Sequence, residues 1–314
     1  LVGSEMCIRD RAWSAFIKNN PEESKEVKAL VSLFWSSRPV SWVNTAFPFF
    51  AAYWFVNERI DAVLIVGTLF FLIPYNFLMY GINDVFDYAS DMRNPRKGGI
   101  EGALLDPKLH KLTIWSSIGL SLGFVIYLLI VGNDIADFWL LITLFAVLAY
   151  SVPKLRFKEI PFLDSLTSAM HFIGPMLFAL AISNVNIFEF KLFSMILAFL
   201  GWGMASHAFG AVQDVRADRE AGIKSIATAI GARNTVRLAF VLYFLSGIAL
   251  MNAGPHGMVA ALAAIPYLVI IAPFLNITDE DCERANKGWR KFIWLNFAGG
   301  ALISLLLINF IQAN

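Results

Sequence analysis

Nine long apolar runs constrain this chain more than any other feature of it. They cover roughly residues 39–56, 60–82, 112–132, 138–152, 165–183, 190–213, 235–254, 257–275 and 292–311. A helix needs about 17–25 such residues to cross the hydrocarbon core of a bilayer. In that medium every N–H and C=O must be paired within the chain, which leaves only helices and closed barrels. The runs are continuous rather than alternating, so a barrel is excluded. The expected fold is an all-α membrane protein with nine transmembrane helices. Composition agrees: 58% of residues are apolar and 16% charged, against about 45–50% and about 25% in soluble chains. A soluble enzyme, a disordered chain and a secreted disulfide scaffold are excluded. The two cysteines, Cys7 and Cys282, can build neither a disulfide framework nor a Cys-rich metal site. A net charge of +1 gives no reason to expect nucleic-acid binding.

Basic residues set the orientation. With nine spans, 23 of the 25 Lys and Arg fall on the side of the N-terminus, and only Arg59 and Lys191 fall on the other. The positive-inside rule then makes the N-terminus and the even-numbered loops cytoplasmic. A missed span would scramble this asymmetry. The fourth run is short and ends at Ser151–Val152–Pro153, where proline blocks further helix. Residues 38–314 read as a single transmembrane domain in the cytoplasmic membrane, with 12–37 as a cytoplasmic N-terminal segment. Within the latter, residues 19–29 are charged and suit a short surface helix. Residues 1–11 read as a non-native, adapter-like segment and are set aside, together with Cys7.

The chemistry-bearing residues are acids at two membrane borders. Where the second run reaches the cytoplasm, Asn83, Asp84, Asp87 and Asp91 lie within nine residues. At 100° per residue they fall at 0°, 100°, 40° and 80°, on one side of a continuing helix. Like charges so spaced destabilise a helix unless cations lie among them. Oxygen-only ligands suit Mg²⁺ before Zn²⁺. At the cytoplasmic end of the sixth run, Asp214 and Asp218 stand four apart, again on one face. Two such acidic helix ends can face each other and hold two Mg²⁺ ions bridged by a diphosphate.

Residues 83–91 resemble the NDxxDxxxD motif of the UbiA superfamily of intramembrane prenyltransferases. Asp214–Asp218 resembles its DxxxD motif, followed by a similar Gly222-Ile223-Lys224-Ser225. The resemblance spans about residues 32–311 and implies a UbiA-like bundle. It also implies that Asn83, Asp84, Asp87, Asp91, Asp214 and Asp218 bind two Mg²⁺ ions and the diphosphate of an isoprenyl donor, with Asp87, Asp91, Asp214 and Asp218 catalytic. Tyr150 to Arg156 is similar to the family's YxxxKR-type segment, which assigns Tyr150 and Lys154 to the diphosphate. Arg38, before Pro39, resembles the family's early arginine, and Lys224 belongs to the second motif's continuation. Residues 94–103 (NPRKGGIEGA) resemble lycopene elongase-type members rather than quinone-type ones. Their glycines suit a loop over the donor, and Arg96 and Lys97 can meet phosphate.

The implied reaction is transfer of an isoprenyl group from an allylic diphosphate to a hydrophobic acceptor in the bilayer, a carotenoid such as lycopene. An aromatic or lipid acceptor of quinone-type biosynthesis is the alternative. Outside the class stands a transporter, whose acids would lie at mid-membrane rather than at one interface. The implied site faces the cytoplasm. Phe77, Tyr80, Phe86, Trp202 and Phe209 lie at a depth where aromatic faces can stabilise a cation. His171 and His207 fall inside the fifth and sixth runs, as proton acceptors or as hydrogen-bonded bundle residues. His110, His256 and Cys282 read as ordinary loop residues.

Overall fold

A computed structural model describes residues 23–92 and 104–313, and among these every regular element is helical. The helices are α1 Glu23–Ser36, α2 Trp42–Asn57, α3 Ala62–Leu72, α4 Pro74–Phe86, α5 Tyr88–Asp91, α6 His110–Val131, α7 Asp134–Ser151, α8 Leu163–Ile182, α9 Phe190–Val212, α10 Val215–Ala221, α11 Ile226–Ile230, α12 Ala232–Met251, α13 Pro255–Ala261, α14 Ala264–Ile271 and α15 Asn286–Ala313. Seven helical stretches are long and apolar enough to cross a membrane. Ala62–Phe86, made of α3 and α4, is one of the longest at 25 residues, and α7 is the shortest at 18. The first and last apolar runs also fold as helices, α2 with 16 residues and α15 with 28.

The bundle is turned inside out relative to a soluble protein. Large apolar side chains point outward, such as Trp115, Leu122 and Ile130 along α6. Polar side chains are buried, including Thr45, Asn76, Thr113, Thr143, Asp164 and His171. Lipid favours this arrangement, because apolar side chains gain nothing by leaving it while polar ones need internal partners. Small residues allow close approach at the crossings. A Cβ on Gly174 of α8 would lie 2.2 Å from Thr143 Oγ1 of α7, and one on Gly203 of α9 would lie 2.9 Å from Ala169 Cβ of α8. α8 is therefore gripped on two sides, and it also packs against α2. Among the described residues the apolar side chains form three cores. One is built on Phe49, Phe70, Phe71, Tyr75 and Phe178, another on Phe209, Tyr243, Tyr267 and Phe292, and a smaller one on Ile173, Leu177, Leu180 and Ile196.

The second apolar run is not the single helix that its length suggests. It breaks at Ile73–Pro74 into α3 and α4. Proline lacks the N–H that would close the ladder, so carbonyls are released inside the bundle. Thr45 Oγ1 donates to the Phe71 carbonyl at 2.7 Å. Asn76 Nδ2 reaches the carbonyls of Phe71 and Leu72 at 2.9 and 3.0 Å and Thr45 Oγ1 at 2.6 Å. Other ends are capped conventionally: Asp61 accepts from the Leu64 N–H for α3, and Asn133 from the Ile135 and Ala136 N–H groups for α7. The charged segment before the first span forms α1, which extends further than residues 19–29, as far as Ser36.

Asn76→Leu removes three hydrogen bonds and leaves buried carbonyls short of partners. It should cost about 1–3 kcal/mol and lower the thermal midpoint in detergent. An unchanged midpoint would show that the break at Pro74 is supported by other groups.

Candidate active site

The first acidic motif straddles the end of α4. The chain leaves the helix at Asp87, yet the ladder is kept: the Asp87 N–H donates to the Asn83 carbonyl at 2.9 Å, and the Asp91 N–H to the Asp87 carbonyl at 2.8 Å. The spacing expected of one continuous helix thus survives a short irregularity. Asp84, Asp87 and Asp91 are buried and Asn83 is half-buried.

Buried carboxylates need partners, and these come from two loops. Arg38 Nη2 lies 3.0 Å from Asp84 Oδ1 and also donates to Asn83 Oδ1 at 3.4 Å. Ser36 Oγ donates to the other Asp84 oxygen at 2.9 Å. The Arg38 guanidinium stands 4.3 Å over the Tyr80 ring, which occupies that aromatic face with a protein cation. Arg38 itself is in the left-handed region, φ 50°, a conformation that persists only when its surroundings fix it. Asp87 accepts from Asn83 Nδ2 at 2.6 Å, forms a close ion pair with Lys158, and has Arg156 Nη2 at 3.7 Å. Asn83 also donates to Ser151 at 3.0 Å, which ties the motif to the end of α7.

The loop between α7 and α8 is the second contributor. Lys154, Arg156 and Phe162 all have positive φ, three strained positions within nine residues. Arg156 is braced by Glu159, and that ion pair holds its guanidinium above the ordinary arginine range. This shape turns Arg156 and Lys158 onto Asp87 and leaves Lys154 exposed. Tyr150, at the end of α7, lies within electrostatic reach of Asp164, Asp87 and Arg38. Its ring meets those of His171 and His207 edge-on, at 5.3 and 6.3 Å.

The second motif follows α9. Asp214 is the residue from which α10 starts, and the Asp218 N–H donates to its carbonyl at 2.8 Å. Both carboxylate residues are half-buried. The Gly-Ile-Lys-Ser continuation has a local explanation. Gly222 takes φ 70° to end α10, which costs glycine little, and Ser225 forms a capping box with Thr228 to start α11. Lys224 is exposed between them, in a groove with Arg219 and Thr228. Arg219 pairs with Asp279 at 2.6 Å. Burial works against the Asp279 carboxylate, but the Ala232 N–H and Arg219 outweigh it and hold the group below the usual carboxylate range. Arg96 and Lys97 lie outside the described residues.

Three contributors escaped the sequence reading. Lys158, rather than Lys154, meets Asp87. Ser36 meets Asp84. Asp164, at the first turn of α8, is fully buried and joins three helices: it accepts from Ser165 N–H at 2.7 Å and Ile226 N–H at 2.7 Å, with His207 Nε2 of α9 at 3.6 Å. A lone acid at the border of an apolar run, seven residues before a histidine, was the signal available for it. Cys282 corrects an expectation. It is fully buried rather than an ordinary loop residue, with its sulfur 3.7 Å from the Gln213 carbonyl. Phe209 is also fully buried, among Phe274 and Phe292, as core.

The donor set at the two helix ends fits magnesium by its chemistry, since Asn83 and the five aspartates offer only oxygen. Among the described residues no three His, Cys, Asp or Glu side chains form a closed metal cluster. A magnesium ion here would share one or two carboxylates with phosphate oxygens. The charges of Asp84 and Asp87 are balanced by Arg38 and Lys158, cations of the kind that bind phosphate.

Comparison with known proteins places the chain in a family. A family model described as UbiA prenyltransferase family matches residues 45–297. A lycopene elongase/hydratase from Corynebacterium glutamicum is 49% identical over 273 residues, covering 87% of this chain and 95% of that protein. A C(50) beta-cyclic carotenoids biosynthesis protein, LbtBC, from a Dietzia species is 48% identical over 289 residues, covering 92% of this chain and 67% of that one. Among solved structures, a UbiA homologue from Archaeoglobus fulgidus bound to DMAPP and Mg²⁺ superposes with a TM-score of 0.62 at 18% identity, covering 86% of this chain and 99% of that one. The match across most of the chain, with two acidic helix ends in a multi-pass helical bundle, means that this integral membrane protein belongs to the UbiA prenyltransferase family.

Proposed function

We propose that the chain transfers a C5 isoprenyl group from an allylic diphosphate to the terminal double bond of a carotenoid such as lycopene, with Mg²⁺, in a nine-span bundle whose site faces the cytoplasm. The observation that carries this reading is the first acidic border: buried Asp84 and Asp87 are held against Arg38 and Lys158, and a second acidic helix end, Asp214 and Asp218, has the same oxygen-only chemistry. The carotenoid acceptor is supported by the 49% identical lycopene elongase/hydratase, which this chain matches over most of both lengths. The donor and magnesium are supported by the DMAPP- and Mg²⁺-bound structure that shares the fold.

When bound, magnesium supplies Lewis-acid stabilisation of the departing diphosphate. The chain's own residues do the rest. Asn83, Asp84, Asp87 and Asp91 from one helix end, and Asp214 and Asp218 from the other, would hold magnesium together with the donor's phosphate oxygens. Arg38, Tyr150, Lys154 and Lys158 line the diphosphate side, with Lys224 at the second motif, and Arg96 and Lys97, which follow the first motif in sequence, are further phosphate ligands. Lys158 and Arg38 can pass from carboxylate to phosphate oxygens as the donor arrives, because both partners are anionic and oxygen-only. Preorganised cations of this kind favour the charge that develops on the leaving group. The surrounding bundle keeps water from the allylic cation.

Three outcomes test the reading. In a lycopene-producing host, the chain should yield longer carotenoids, and Asp87→Ala with Asp214→Ala should reduce them at least about 100-fold. Unchanged lycopene beside well-folded protein would instead direct attention to aromatic acceptors. In isolated membranes, chelation by EDTA should stop transfer, and added Mg²⁺ should restore it. Lys158→Ala should raise the donor KM about tenfold or more, the loss of a charged hydrogen bond. A larger effect from Lys154→Ala would return the diphosphate contact to the residue chosen by motif spacing.

A further inference from the structure

One buried carboxylate has no part in holding the diphosphate. Asp164 is fully buried at the start of α8, within electrostatic reach of Tyr150. Its Oδ1 accepts from the Ser165 N–H at 2.7 Å and Ser165 Oγ at 3.2 Å. Its Oδ2 accepts from the Ile226 N–H at 2.7 Å. Three donors therefore satisfy the carboxylate before any imidazole is counted. His207 Nε2 stands 3.6 Å from Oδ2, at ion-pair rather than hydrogen-bond distance. A neutral His207 is not needed to satisfy Asp164. A protonated His207 would gain a charged partner there.

The two members of the pair also differ in access. The Asp164 side chain has no exposed surface, whereas 17% of the His207 side chain is exposed. The neighbouring histidine offers a contrast. His171 is 4% exposed, and its Nε2 is buried without a hydrogen-bond partner, so nothing can approach it without rearrangement. His207 lies five residues before the end of α9, about 7.5 Å along its axis, and Asp214 follows that helix. A donor whose diphosphate is held by the motif would place its hydrocarbon part toward the bundle, on the side where α9 carries His207. Among the described residues, the titratable groups that face His207 are Asp164 and His171 of α8 and Tyr150 of α7, while Tyr243 of α12 hydrogen-bonds the adjacent Ser206 at 2.7 Å.

We infer that His207 is the base that takes the proton at the end of the transfer and that Asp164 is its positioning residue. The inference rests on the reaction proposed above. In that reaction the allylic C–O bond breaks and diphosphate leaves with the bonding pair. The π pair of the acceptor's terminal C=C then forms the new C–C bond, which leaves a tertiary carbocation on the acceptor. His207 removes a proton from the carbon next to that cation, and the C–H pair becomes a new C=C. The imidazolium is held opposite the Asp164 carboxylate and returns its proton to water when product leaves. Where water adds to the cation instead, the same imidazole takes the proton from the oxygen, and the product is a tertiary alcohol.

The test uses the full chain in liposomes with lycopene, dimethylallyl diphosphate and Mg²⁺. His207→Ala should lower kcat about 100-fold while the donor KM stays within about threefold, the pattern of a group acting only in the transition state. Added imidazole should restore part of the lost kcat. Asp164→Asn should lower kcat about tenfold while the donor KM stays within about threefold, the split expected of a residue that only positions the base. His207→Gln, close in polarity and size, should show the same kcat loss if the alanine variant fails to fold. Wild-type turnover in His207→Gln would overturn the assignment, as would a loss shared by kcat and KM that imidazole does not relieve. A wild-type chain that prenylates only aromatic acceptors would overturn the acceptor reading itself, and the wild-type lane tells the two failures apart.

Discussion

The pairing of carboxylates that have been taken out of water governs one whole end of this bundle. Asp84 retains almost no exposure, and an unpaired charge there would be prohibitively costly. Arg38 and Ser36 meet that demand from a segment outside the first span. The turn after α1 therefore has to pass through a left-handed arginine, and α1 is fixed to α4 by chemistry more than by packing. The same demand from Asp87 shapes the α7–α8 loop, whose three positive-φ residues deliver Arg156 and Lys158. Asp164 repeats it one layer deeper, using the Ile226 N–H at the start of α11. Each acid thus anchors a different loop, and the loops become parts of one constellation.

Much of this was legible in the chain. Seven of the nine apolar runs fall on single helices, the second and the eighth are each broken into shorter ones, and Pro153 follows the end of α7. The spacing of Asn83, Asp87 and Asp91 anticipated a shared face, which the ladder through Asp87 preserves. What could not be read depended on non-local geometry. Lys154 and Lys158 are equally basic, and only the backbone course of the intervening loop selects the second. The break at Pro74 was visible as a proline inside an apolar run, but its tolerance rests on Thr45 and Asn76, contributed by different helices. Asp164 was hidden by its position, one residue outside the span assigned from hydropathy. The burial of Cys282 under Gln213 needs the last helix folded back on α9, which local sequence cannot report.

The centre of the molecule is α8. It contributes to two of the cores, carries Asp164 and His171, and is approached closely by α7 and α9 through glycine contacts. Its N-terminal turn is where the strained loop, the capping box of α11 and the imidazole of α9 converge. A helix held this tightly can fix the relative positions of residues from four separate elements. Precise placement of charged groups at a membrane border needs such a rigid support, since water there would otherwise screen and disorder them.

The unequal lengths of the spanning stretches act on the lipid outside. The 25 residues from Ala62 to Phe86 would measure about 37 Å as a straight helix, while the 18 of α7 measure about 27 Å. A hydrocarbon core of about 30 Å matches neither. Tilting and the Pro74 break absorb the excess on one flank, whereas beside α7 a thinner bilayer or outward-reaching flanking side chains make up the difference. A bilayer that thins there is elastically deformed on the flank that holds Tyr150 and the strained loop. The stiffness and acyl-chain length of the host membrane become part of the energy of its folded state.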